Sequence, residues 1–326
     1  MGYPRHFFVP PTTPGTYHCV SRCVRRAFLC GEDVLTGQSY EHRRRWLEER
    51  ILELARVFAV AIHGYAVMSN HFHLIVETDP NAPSQWSDEQ VATRWLALST
   101  KAGDADKPLA PRIAQLAENT QRINELRQRL GSLSWFMKYL KEPIARRANR
   151  EDQCKGCFWE SRFASQALLD DPAIVSSMVY VDLNPIRAGM AQTPETSAHT
   201  SVCARSQSAA HSDDVGNDKP MAPLAASIQS ALTVVTTTQY LELVDWTGRA
   251  LHPGKHGVIA ADAPPIIKRL GLQPAQWCLQ VPAIERHYAR AIGQFETLMD
   301  AATAAGCRWL RGIGFAARLR KIIITH

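Results

Sequence analysis

A fourteen-residue apolar run, Tyr65-Ala-Val-Met-Ser-Asn-His-Phe-His-Leu-Ile-Val-Glu-Thr78, constrains this chain more than any other feature. It is rich in β-branched residues and interrupted once, at Ser69-Asn70, so it predicts two buried strands, 59–68 and 71–78, joined by a tight turn. Side chains alternate faces along a strand. His71 and His73 therefore point the same way, about 6–7 Å apart along it. Phe72 points to the opposite face and belongs to the core. Two imidazoles on one rigid face can hold a divalent metal if a third ligand arrives from elsewhere. A histidine pair in a strand is also found in purely structural settings.

A second element lies about a hundred residues on, in Tyr180-Val-Asp-Leu-Asn-Pro-Ile-Arg-Ala-Gly189. Upstream of it, Asp170-Asp171-Pro172 supplies an N-cap and a first-turn proline. Ile174, Met178 and Val181 give the helical apolar stripe. The helix stops near Asn184, because the residue before Pro185 is pushed out of the α region. Tyr180 and Asn184 are four apart and share a face. The pair offers a phenol nucleophile beside an amide oxygen. A tyrosine on a helix rim followed by an Asn-Pro stop is the structural alternative.

The two elements in this order, with Phe7-Phe-Val-Pro10, Tyr17-His-Cys-Val-Ser-Arg22 and Phe158-Trp-Glu-Ser-Arg-Phe-Ala-Ser165, resemble the single-tyrosine HUH transposases, in particular the REP-associated branch. The likeness covers roughly residues 1–195. Ser69 stands where the family often has proline, residues 80–132 are longer than the compact family core, and the C-terminal third has no counterpart in the shortest members. The resemblance implies that Tyr180 is the nucleophile and that His71, His73 and Asn184 hold Mg²⁺ or Mn²⁺. It implies cleavage and rejoining of single-stranded, hairpin-forming DNA of repetitive palindromic elements, through a covalent 5′-phosphotyrosine and a free 3′-hydroxyl. Such enzymes act as monomers or homodimers. A catalytically silent DNA-binding regulator derived from a transposase is the alternative. A metal hydrolase with His71 and His73 activating water is another, against which the Tyr180–Asn184 spacing argues.

The residue types suit that chemistry. A phenol, with a pKa near 10, is a poor nucleophile at pH 7 without help. A divalent ion can neutralise charge on the scissile phosphate and orient the attack. Ligand type alone leaves Zn²⁺ open. No base near Tyr180 can be named from the sequence. The net charge of +6 and pI near 8.9 suit a polyanionic partner without requiring one. Candidate DNA contacts are Arg22, Arg25, Arg26, Arg162 and Arg187. The runs Arg43-Arg44-Arg45 and Arg146-Arg147-Ala-Asn-Arg150 are either phosphate contacts or solvated helix faces. Trp135, Phe136, Phe158 and Trp159 can stack on unpaired bases or pack in the core.

There are eight cysteines. The start of the chain shows no apolar leader and no run of about 18 apolar residues occurs, so no signal peptide or membrane span is expected. A cytoplasmic chain, nucleoid-associated when bound to DNA, would keep its cysteines as thiols. Cys154-Lys-Gly-Cys157 has zinc-knuckle spacing, and Cys19, Cys23 or Cys30 could complete a site, yet no second pair of that spacing follows.

The pattern along the chain is strand at 16–22, helix at 40–58, strands at 59–68 and 71–78, helices at 90–99, 113–130 and 134–149, strand at 163–169, then the Tyr180 helix. It predicts an α+β fold, a ferredoxin-like antiparallel sheet with helices on one side. The resemblance implies that residues 1–192 form the catalytic domain. Residues 193–238, dominated by Ser, Ala, Thr and Asp, read as a flexible linker. Residues 239–326 read as a small helical accessory module, with helices at 264–270, 283–292 and 296–310.

Overall fold

The hairpin forms the centre of the sheet in the computed structural model, which describes residues 7–24, 29–33, 37–98, 108–211, 219–251 and 263–322. In chain order the elements are β1 Gly15–Arg22, α1 His42–Ala55, β2 Val60–Val67, β3 His71–Thr78, α2 Asp88–Leu98, α3 Leu109–Ala117, α4 Thr120–Leu130, α5 Leu133–Glu151 and β4 Ala164–Leu168. They continue with α6 Asp171–Asp182, the single turn α7 Asn184–Arg187, α8 Ser201–His211, β5 Ala225–Ala226, α9 Thr237–Ala250, α10 Pro265–Arg269, α11 Pro274–Arg286, β6 Ala291–Ile292, α12 Phe295–Ala304 and α13 Ile313–Lys321. No helix among the described residues is long and apolar enough to cross a membrane.

The chain is α+β, with strand order β5-β2-β3-β1-β4-β6. The four long strands are antiparallel to their neighbours, while β6 joins β4 in parallel. Every residue of β2 is buried, so both faces of the sheet are covered. This corrects the expectation of helices on one side. Phe72 packs on Trp159, whose indole N–H donates to Lys141 O of α5. Its neighbour His73, of opposite parity, faces Tyr180 and Asn184. Helix α5 thus covers one face and α6 the other. The strand expected at 163–169 and the helix ending before Asn184 lie where the sequence puts them. Asp170 caps α6 by accepting from Ala173 N at 2.9 Å.

Helix 113–130 is instead two helices. Asn119 breaks the run and caps α4, accepting from Arg122 N at 2.9 Å. The stretch read as a flexible linker contains α8 and the sheet strand β5, although 212–218 lie outside the described residues. Its small residues misled because they permit close packing here. Helix α8 lies so near β2 that a Cβ on Gly64 would come 3.3 Å from Ser201 Oγ. Ser201 Oγ accepts from Tyr65 N at 3.0 Å and donates to Asp182. The C-terminal segment holds helices α9–α13, but the helix expected at 283–292 is the end of α11 followed by strand β6, which joins the sheet, and α11 packs on α6.

A polar clamp ties α1 to this arrangement. The Glu48 carboxylate accepts from Tyr65 Oη and His199 Nδ1, both at 2.6 Å. Burial alone would raise its pKa, but the two hydrogen bonds outweigh burial and hold it below the ordinary glutamate range. A carboxyl whose folded pKa is depressed adds stability that is complete above its unfolded pKa, near 4.5, and is lost as pH falls through the folded value. Unfolding titrations carried downward from about pH 4.5 should therefore show the wild type losing more stability than Glu48→Gln. Parallel profiles for the two proteins would contradict this.

Candidate active site

One face of the sheet collects the candidate residues through register. In β3, His71 lies opposite Arg22 of β1 and His73 opposite Val20, and in β4, Gln166 lies opposite His18. His18, Arg22, His71, His73 and Gln166 therefore share a face. His71 Nε2 is 3.0 Å from His73 Nε2, and His73 Nδ1 is 2.9 Å from His18 Nε2. The imidazoles of His18 and His73 are stacked, 5.2 Å between centroids. The other nitrogen of His71 is held by the Asn70 side-chain oxygen at 2.6 Å.

Helix α6 crosses this face. The Asn184 side-chain amide lies 3.4 Å from His73 Nε2, and the Tyr180 ring stands edge-on to His73 and His18, at 5.8 and 6.1 Å. Four-residue spacing brings phenol and amide to the same cluster, as the sequence predicts. The Tyr180 hydroxyl donates to Glu285 Oε2 at 3.0 Å. Glu285 belongs to α11, more than a hundred residues away in sequence, and no local motif marks it. His18 stood inside a block already singled out, but nothing in its neighbours assigns it a partner. Gln166 follows directly after the block that ends at Ser165, and no local pattern marks it.

Burial sets the protonation of this cluster. It lowers His71 and His18 to about 4, Arg22 adding to the effect at His71 while Gln166 and Glu285 oppose it at His18. His73 is driven well below its ordinary value by burial and by its two histidine neighbours. Burial thus favours the neutral form of all three rings at pH 7, in which each imidazole keeps one lone pair; the nitrogens of His18 are engaged by its hydrogen bonds to Gln166 and His73. The Tyr180 phenol is pushed up to about 12 by burial and by the Glu285 charge, against a hydrogen bond from Asn184 and the charge of Arg187. Left to itself it stays protonated at neutral pH.

The basic candidates divide. Arg22 and Arg187 are exposed, Arg22 at the His71 end of β1 and Arg187 with its guanidinium 5.2 Å from the Tyr180 ring centroid. Arg162 is exposed just before β4, at the same end of the sheet, where Glu160 N bonds Arg22 O. Arg25 and Arg26 lie outside the described residues. The other runs are committed to structure in part. Arg43 is buried against Glu151 and Asp152, Arg44 binds Glu41 and Val67 O, and Arg147 stacks 3.7 Å over Trp46. Phe136 and Phe158 are core, whereas Trp135 and Trp159 are half-buried.

Among the described residues no group of three or more His, Cys, Asp or Glu side chains is arranged to hold a metal ion. For Cys154 and Cys157 this removes the zinc knuckle. Cys157 is exposed and Cys154 Sγ sits 3.6 Å from Asn149 Oδ1, while Cys19, Cys23 and Cys30 are buried in the core. At the histidine face the third histidine, His18, turns its nitrogen to His73. The remaining donor set is two imidazoles and the Asn184 amide.

No protein-family model matches the chain, and no curated protein matches it. A solved structure described as a REP-associated tyrosine transposase bound to a REP hairpin is similar over 66% of this chain and 93% of that one, at 13% identity and a TM-score of 0.31. A likeness of that size fixes neither the fold nor the function of this chain.

Proposed function

We propose that the chain cleaves and rejoins single-stranded, hairpin-forming DNA through a covalent tyrosine–phosphate link, with a divalent ion held by His71, His73 and Asn184. One observation carries the reading: the last turn of α6 and the adjoining turn α7 bring Tyr180 and Asn184 together onto the sheet face that bears both histidines. The strand order β2-β3-β1-β4, all antiparallel, supports the ferredoxin-like core that the resemblance implies.

The donor set suits a hard cation. Two ligands at neighbouring corners of an octahedron with bonds of about 2.1 Å stand about 3.0 Å apart, which is the separation of the His71 and His73 Nε2 atoms. A half-turn of the Asn184 terminal torsion exchanges its amide nitrogen for oxygen on the same side. Imidazole and amide oxygen together fit Mg²⁺ or Mn²⁺. Such an ion supplies Lewis-acid polarisation of the scissile phosphate.

The chain's own groups do the rest. Arg22 and Arg187 flank the cluster and can fix the flanking phosphates. Glu285 accepts the hydrogen bond of Tyr180, so it is placed to take the phenol proton as attack begins. The Tyr180 oxygen forms a bond to phosphorus and the bond from phosphorus to the 3′ oxygen breaks. That oxygen takes up a proton and leaves as a free 3′-hydroxyl. A phenolate is a good leaving group, so the same 3′-hydroxyl can reverse the step and rejoin a strand.

The test uses labelled hairpin oligonucleotides with Mn²⁺. His71→Ala and His73→Ala should each lose cleavage by about 10²–10³-fold, the scale of a lost transition-state charge stabiliser, while still retarding the hairpin in a gel. Undiminished cutting by either variant in the presence of chelator would overturn the metal assignment.

A further inference from the structure

Three groups behind the histidine pair have no part in the chemistry just described: the buried His18, the half-buried Gln166 and the main-chain carbonyl of the buried Ile284 in α11. They form a chain of hydrogen bonds that ends on His73. Gln166 Nε2 is 3.5 Å from Ile284 O, Gln166 Oε1 is 2.8 Å from His18 Nδ1, and His18 Nε2 is 2.9 Å from His73 Nδ1.

The direction of every bond follows from the first. A carbonyl oxygen can only accept, so the Gln166 amide turns its N–H toward Ile284 and its oxygen toward His18. His18 must then donate from Nδ1. In a neutral imidazole the other nitrogen is an acceptor, so His18 Nε2 receives a proton from His73 Nδ1. His73 is left with Nε2 bare, on the side facing His71 Nε2 and the Asn184 amide. His18 is 3% and His73 5% exposed, so bulk water does not compete for these nitrogens.

We propose that the Ile284–Gln166–His18 chain is a tautomer relay that fixes the His73 proton on Nδ1 and so presents its Nε2 lone pair to the metal position. His18 is a positioning residue, held by register, since it faces Gln166 directly across the β1–β4 pair. The inference rests on the metal assignment made above. It also makes the C-terminal segment part of the site, because Ile284 belongs to the same helix as Glu285.

Two readouts test it on the full-length protein. One is nitrogen-resolved NMR of the histidine rings in the metal-free protein. The other is binding of Mn²⁺ alone, followed by the paramagnetic resonance of free ion. In the wild type, His73 should carry its proton on Nδ1. His18→Ala should release that preference and weaken Mn²⁺ binding by about 10–100-fold, the usual cost of losing an outer-sphere partner of a metal-binding histidine. His18→Gln, whose side-chain oxygen can accept from His73 Nδ1, should recover most of the affinity. Gln166→Met, which leaves the buried imidazoles intact, should mix the His73 tautomers even if His18→Ala does not fold. A wild-type His73 protonated on Nε2 would overturn the relay, as would equal Mn²⁺ affinity in wild type and His18→Ala, or His18→Gln binding no better than His18→Ala. Failure of the wild type to bind Mn²⁺ at millimolar concentration would instead overturn the metal assignment, and the tautomer measurement would still decide the relay.

Discussion

Tyr180→Phe is expected to abolish strand cleavage, by at least about 10⁴-fold, the scale on which enzymes respond to loss of a nucleophile. The change removes one oxygen. The ring keeps its edge-on contacts with His73 and His18 and its place beneath the Arg187 guanidinium. The lost hydrogen bond ends on Glu285, which α11 still carries. Thermal stability should move little and hairpin binding should persist. Measuring single-turnover cleavage and melting temperature on the same preparation separates a chemical defect from a folding defect. Retained cleavage would remove Tyr180 from the reaction.

The second large effect concerns stability. Asp182 lies between Tyr180 and Asn184 but turns the other way, into the core. It is fully buried and accepts from Ser201 Oγ of α8, Tyr240 Oη of α9 and Val202 N. Burial raises its pKa, against those hydrogen bonds and the charge of Arg205. Arg205 is itself buried and bound to His63 O at 3.0 Å and Ala222 O at 3.3 Å. Asp182→Ala removes the carboxylate that accepts from three buried donors, together with a negative charge that acts on the buried Arg205. The expected cost is about 3–5 kcal/mol, as for other broken buried polar pairs. Denaturant unfolding measures it directly, and a loss below about 1 kcal/mol would show that the cluster does not anchor the helix. Because Asp182 fixes the end of α6, the same network also sets where Tyr180 and Asn184 stand.

Particular elements show what the sequence made legible. The hairpin was readable because an apolar run with β-branched residues extends over fourteen residues, whereas the extra residue His63, between Ile62 and Gly64 in the register with β3, left no local signal. The Tyr180–Asn184 pair was readable because a helix repeats every 3.6 residues. Three kinds of information were not. Arg43 and Arg44 look like a phosphate clamp in sequence, and only the distant acids Glu151 and Asp152 and the carbonyl of Val67 make them structural. Helix α8 lacks apolar periodicity because polar groups anchor it, Ser201 to Asp182 and Arg205 to backbone carbonyls. His18, Gln166 and Glu285 acquire roles only through strand register and the packing of α11 on α6, which no local pattern encodes.

The central claim is that Tyr180 carries the DNA during the reaction. Its most direct measurement is peptide mapping, by mass spectrometry, of the denaturant-resistant product formed when the wild-type protein meets a labelled single-stranded hairpin with Mn²⁺. The prediction is one adduct, a 5′-phosphate ester on the Tyr180 oxygen, released together with a strand ending in a 3′-hydroxyl. An adduct on any other tyrosine would contradict the site, and cut DNA with no protein attached would contradict the mechanism.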